Sequence, residues 1–145
     1  MDRIRPLAIG IFRRANQIMV FEGYDPLKGE TFYRPLGGEI EFGEKAEDAL
    51  RREILEELGA EITNIRFLGV LENIFVFNGE PGHEIVMVFD GQFTDSSIYR
   101  QEELIANEDN GLPMKVLWLP LNEFSTDSAP LYPQGLFEFL HRKET

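Results

Sequence analysis

The chain has 145 residues, 43% hydrophobic and 28% charged, with 26 acidic against 14 basic side chains and a formal net charge of -12. That size and mixture suit one globular domain spanning residues 1–145, and the acidity argues against general nucleic-acid binding, which relies on basic surface to release counterions from phosphates. Cysteine is absent, which excludes disulfides and thiolate metal sites and leads us to expect a reducing, cytoplasmic setting.

Leu7 to Phe12 is an apolar run ending at Arg13-Arg14, too short for a membrane span and without a small-residue cleavage site, so it reads as a strand. Gln17 to Glu22 repeats the character after Arg13-Arg14-Ala15-Asn16, and the two form an expected hairpin. Tyr24 to Glu30, with Pro26 and Gly29, reads as a loop. Phe32-Tyr33-Arg34 then leads into Pro35-Leu36-Gly37-Gly38, where successive glycines let the backbone approach a metal or a phosphate. Arg34 has two readings: a bidentate donor to a substrate phosphate, or a counter-ion for the nearby glutamates. Tyr24, Phe32 and Tyr33 either stack on a base or feed the core.

From Ala46 the spacing predicts a helix. Ala46, Leu50, Ile54 and Leu58 recur every four residues, broadened by Ala49 and Leu55, and Gly59 offers a left-handed stop. Glu53, Glu56 and Glu57 fall at i, i+3 and i+4, so they share a face that is expected to look outward, opposite the apolar stripe. Their mutual repulsion is relieved either by solvent, with help from Arg51 and Arg52, or by a hard divalent cation, which such oxygen ligands suit.

Ile65 to Phe77 and His83 to Phe93 read as a long hairpin around Asn78 to Gly82. Within it Glu84 is either a further acid for the site or a satisfied strand residue, and Glu72 and His83 read as edge or hydrogen-bonded groups. Asp95 to Gly111 is polar and breaks the periodicity, as a lid or a solvated insertion would. Met114 to Leu119 is a strand, and Gln134 to His141 a packing helix begun near Pro133.

The run from Gly38 to Ala60, GEIEFGEKAEDALRREILEELGA, resembles the signature of the Nudix hydrolases, with Gly38, Glu44, Arg52, Glu53, Glu56, Glu57 and Gly59 all at the family's spacing. Ala60 stands where that family usually has a bulkier aliphatic residue, and Leu36 separates the proline from the glycine pair. The resemblance implies an α/β/α sandwich with a mixed β-sheet between helices, one Nudix domain with its box at 38–60, and Mg2+ or Mn2+ held by Glu53, Glu56, Glu57 and the Gly37 carbonyl. It further implies Arg34, Gly38 and Tyr33 as substrate contacts, with Glu53 as the first choice of base and Glu84 or Glu103 behind it. Arg52 and Glu44 are expected to pair and fix the acidic face.

The reaction so implied is pyrophosphate hydrolysis of a nucleoside diphosphate linked to another moiety, by water attack at phosphorus. A proline some way past the box marks ADP-ribose hydrolases in the family and a tyrosine marks dinucleoside polyphosphate hydrolases. Ile74 to Phe77 occupy that region and carry neither. A nucleoside triphosphate, a nucleotide sugar or ADP-ribose bound without the marker therefore stand as small-molecule substrates, with no nucleic-acid or membrane partner expected. Members are often homodimers, and the 12% aromatic content serves an interface or a core. A different class of reading is an inactive sensor of the same fold, but such proteins usually lose box acids and this chain keeps them.

Overall fold

The strand Ile4–Arg14 (β1) organises the architecture because its apolar residues from Leu7 to Phe12 are buried on both faces. Ala8 and Phe12 enter one core, and Leu7, Ile9 and Ile11 enter the other. The computed structural model describes residues 2–108, 111–125 and 130–144. In it β1 pairs antiparallel with Gln17–Asp25 (β2) and with Gly37–Glu39 (β4), and parallel with Glu80–Phe93 (β6). Strand β2 continues to Glu30–Arg34 (β3) and to Pro113–Pro120 (β8), which pairs with Glu103–Asn107 (β7). On the other side Ile62–Phe77 (β5) pairs with β6. The order β5-β6-β1-β2-β8-β7, with β3 and β4 alongside, is a mixed sheet.

Two helices cover it. Ala46–Leu58 (α1) sets Ala49, Leu50 and Ile54 into a core with Phe12, Met19 and Trp118, while Leu136–Glu144 (α2) sets Leu136, Phe139 and Leu140 against Leu7, Ile9 and Val86. The expected α/β/α sandwich is therefore observed. Leu50 and Ile54 are inaccessible to solvent, and truncating either to alanine should cost about 2–5 kcal/mol. Gly59 closes α1 at φ 66°, its N–H donating to the Leu55 carbonyl, as the left-handed stop required.

The hairpins form where turn chemistry allows. Asn78 and Gly79 both have positive φ, so a two-residue turn joins β5 to β6, and the strand resumes at Glu80, earlier than the sequence suggested. The first hairpin is barely one: β1 and β2 share only the register pairs Arg13–Ile18 and Arg14–Gln17. Beyond them β1 stays with β6 and β4 while β2 stays with β3 and β8, and the two halves of the sheet diverge into a cleft.

The polar segment from Asp95 differs from both readings given for it. Asp95 caps a 3-10 turn, Ser96–Arg100, by accepting from the Ser97 N–H, and the turn buries Ile98 and stacks Tyr99 on Trp118 at 5.7 Å. It then becomes β7, whose Ala106 reaches the core of α1. Asp109 and Asn110 lie outside the described residues. Among the described residues no helix is long and apolar enough to cross a membrane.

Candidate active site

The glycine pair and helix α1 build the first part of the site. Gly37 has φ 153°, and a Cβ there would run into the Ala8 carbonyl, so the residue must be glycine for β4 to lie against β1. Gly38 meets a different constraint. A Cβ on it would overlap the carboxylate of Glu53, which rests directly on the glycine backbone. Glu53 is only 5% exposed and Glu57, one turn on, 8%. The outward acidic face expected from sequence is thus corrected: these two glutamates join Ala49, Leu50 and Ile54 on the buried stripe, and Glu56 alone of the three stays half-exposed.

Arg52 holds this arrangement. Its Nε and Nη2 donate to both oxygens of Glu44 at 2.8 and 3.0 Å, its Nη1 donates to Glu53 at 2.9 Å, and Nη2 also reaches the Glu39 carbonyl at 3.0 Å. Glu56 lies 3.4 Å from Nη1. A planar fork bonded to four acceptors fixes both the helix and the loop before it. The hydrogen bond from Arg52, with a backbone N–H donated by Glu41, holds the Glu44 carboxyl below its ordinary value, and the Glu44 and Glu53 bonds raise Arg52 above its own.

Whether these residues suit a divalent cation follows from their chemistry. Among the described residues no three acidic, histidine or cysteine side chains form a ready cage. Mg2+ does not need one, since it retains several waters and takes one or two carboxylates. Glu53 and Glu57 are such a pair, buried on one rigid helix face beside glycine backbone, and the donor set fits.

The second part is the cleft between the diverging halves of the sheet, about 950 Å³ in volume. Aromatic rings of Tyr24, Phe32, Phe75 and Tyr132 line it, together with Arg34 and Glu84. Glu84 is 2% exposed, and its Oε1 accepts from Arg34 Nη2 and Asn73 Nδ2, both at 3.0 Å. Arg34 therefore serves as counter-ion to Glu84 and not to the box glutamates. Arg5 spans the two regions, 3.8 Å from Glu84 on one side and 3.8 Å from Glu39 on the other.

The remaining expected residues fall elsewhere. Tyr33 does not line the cleft: its hydroxyl donates to Glu22, its ring packs edge-on against Phe124, and its backbone binds Pro130 and Tyr132. Glu103 is exposed on β7, opposite Leu117 and 4.0 Å from the Lys115 ammonium. Sequence reasoning missed Asn73, whose signal was an amide inside an apolar strand, and Asp25, which accepts from the Leu27, Lys28 and Asn78 N–H groups and ties the β2–β3 turn to the β5–β6 turn.

Comparison with known proteins gives the family and the fold. The chain is 26% identical to the NAD-capped RNA hydrolase NudC of Pseudomonas aeruginosa over 131 residues, 90% of this chain and 40% of that protein. To NudC of Vibrio cholerae it is 37% identical over 67 residues, 46% of this chain and 24% of that one. The chain thus spans well under half the length of these curated relatives. Among solved structures, a MutT NUDIX hydrolase from Burkholderia pseudomallei superposes with a TM-score of 0.64 at 20% identity, covering 99% of this chain and all of that one. An ADP compounds hydrolase superposes at 0.65 with 15% identity, covering 97% and 71%. Both share the fold. The NUDIX domain description matches residues 2–142, so the signature at 38–60 sits inside a full-length match and the chain belongs to the NUDIX family.

Proposed function

We propose that the chain is a divalent-cation-dependent pyrophosphohydrolase that cleaves a small nucleoside diphosphate derivative or nucleoside triphosphate by water attack at phosphorus. The observation carrying this reading is the Glu53 carboxylate, buried against Gly38 and locked by Arg52, with Glu57 one turn along the same face. Two carboxylates buried on one helix face beside glycine backbone are hard oxygen donors of the kind a divalent cation takes.

Glu53 and Glu57, with Glu56 and the Gly37 carbonyl, would hold Mg2+ or Mn2+. When bound, that ion neutralises phosphate oxygens and lowers the pKa of a water. Glu53 is the first choice of base, because Arg52 fixes its orientation, and Arg52 and Glu44 are positioning residues. The names of the relatives, NAD-capped RNA hydrolase and ADP compounds hydrolase, share a nucleoside diphosphate joined to another group. The net charge of -12 favours a small substrate over RNA.

The test is phosphate-product release from nucleoside triphosphates, ADP-ribose, NAD, nucleotide sugars and dinucleoside polyphosphates, with and without Mg2+ or Mn2+, beside a Glu57→Gln variant. Metal-dependent turnover of one class, reduced at least about 100-fold by the substitution, is expected. Metal binding with no turnover of any class would instead favour a ligand sensor.

A further inference from the structure

Glu84 has a use that hydrolysis alone does not assign. It is buried, it lines the cleft, and its two oxygens are treated differently. Oε1 is saturated by Arg34 and Asn73. Oε2 accepts no hydrogen bond from the described residues, and Arg5 Nη1 stands 3.8 Å from it, beyond hydrogen-bond range. Arg34 and Asn73 also fix the carboxylate in place, and Asn73 is itself tethered by the Gln134 N–H at 3.4 Å. The cleft therefore holds a rigid, preorganised acceptor with a free lone pair. The same cleft is lined by rings suited to a planar ligand: Phe32 meets Phe77 edge-on and Tyr132 at 5.4 Å, and Tyr24 is more than half exposed.

We propose that Glu84 Oε2 is a specificity-determining acceptor that selects a nucleobase carrying an exocyclic amine. This deepens the reading of the chain as a nucleotide hydrolase and rests on it for the nucleoside character of the ligand. An acceptor built into a buried site discriminates against an analogue lacking the donor, because the site's own oxygen is then left desolvated and unbonded. Phosphate groups would lie away from Glu84, on the side of β4 where Arg52 and Glu53 sit.

The experiment measures equilibrium binding by calorimetry, without metal, for two pairs of probes that differ only by an amine replaced with hydrogen. They are adenosine against purine riboside 5′-monophosphate, and guanosine against inosine 5′-monophosphate. At least one amine-bearing member should bind about tenfold or more tightly than its partner in the unsubstituted protein. Glu84→Gln should weaken that member and shrink the ratio to within about threefold, as a neutral acceptor replaces a charged one. Equal binding within both pairs overturns the inference, as does binding of no probe, or a ratio that survives Glu84→Gln. The unsubstituted comparison needs no variant to fold. Because binding is read without turnover, discrimination without hydrolysis would sink the enzymatic reading alone, and hydrolysis without discrimination would sink this inference alone.

Discussion

Two buried glutamates meet arginine in opposite ways. Glu53 receives Arg52 from the adjacent position on the same helix, within a network that also takes in Glu44 and the Glu39 carbonyl. Glu84 receives Arg34 from fifty residues away and Asn73 from the neighbouring strand, and keeps one oxygen open to a cleft. The first arrangement is local and charge-rich, as a site for a cation and pyrophosphate needs. The second is assembled by the sheet and presents a single acceptor among rings, as a site for a base needs. The strip β4 and Arg5 lie between them, so the two regions can be perturbed separately.

The comparison breaks most sharply at Gly38. Gly38→Ala should lower turnover by about 100-fold, because the new Cβ displaces the Glu53 carboxylate, while the amine-dependent binding ratio at Glu84 is unchanged. Steady-state kinetics beside calorimetry separates the two, and a loss of both would mean that the regions are not independent.

A smaller effect is expected from Arg52→Ala, which should raise the metal concentration needed for half-maximal activity by about 10–100-fold. The same variant tests the pairing with Glu44. That carboxyl is held low by Arg52, so its contribution to stability is present above its ordinary value of 4.5 and is lost as pH falls through the lowered folded value. Carbon NMR of the glutamate carboxyls should show Glu44 titrating below 4.5 in the unsubstituted protein and moving back toward it in Arg52→Ala.

On the cleft side, Asp25→Asn should lower the melting temperature by several degrees, since one amide oxygen replaces two carboxylate oxygens serving three N–H donors. Box chemistry, measured as metal dependence, should survive. The smallest effect concerns Tyr132. Burial, and then its hydrogen bond to Glu30 at 2.7 Å, pushes the phenol up to about 12. The associated stability is complete below pH 10 and is lost as pH rises toward 12. Phenolate absorbance should show this late step, and Glu30→Gln should bring it to lower pH.

How much of this was readable in the sequence depends on distance along the chain. The Arg52–Glu44 pair was legible because Glu44 lies just ahead of the helix that carries Arg52, and Gly59 because a helix stop needs a left-handed residue. The burial of Glu53 and Glu57 was not, because a stripe judged by apolarity assigns acids to the opposite face. Strand β7 was hidden by its setting: in Glu103–Asn107 only Leu104 and Ala106 turn inward, within a segment that is otherwise polar. The cleft could not be read at all. Its members Arg5, Arg34, Asn73 and Glu84 meet only through strand register, and the divergence of β1 from β2 that opens it has no local signal.

The most direct test of the central claim is Mn2+ binding followed by electron paramagnetic resonance, in the unsubstituted protein and in Glu53→Gln and Glu57→Gln. We expect binding in the first and at least about tenfold weaker binding in both variants, with thermal melting showing that each is folded. Equal Mn2+ affinity in all three proteins would contradict the assignment of the buried face of α1 as the cation site.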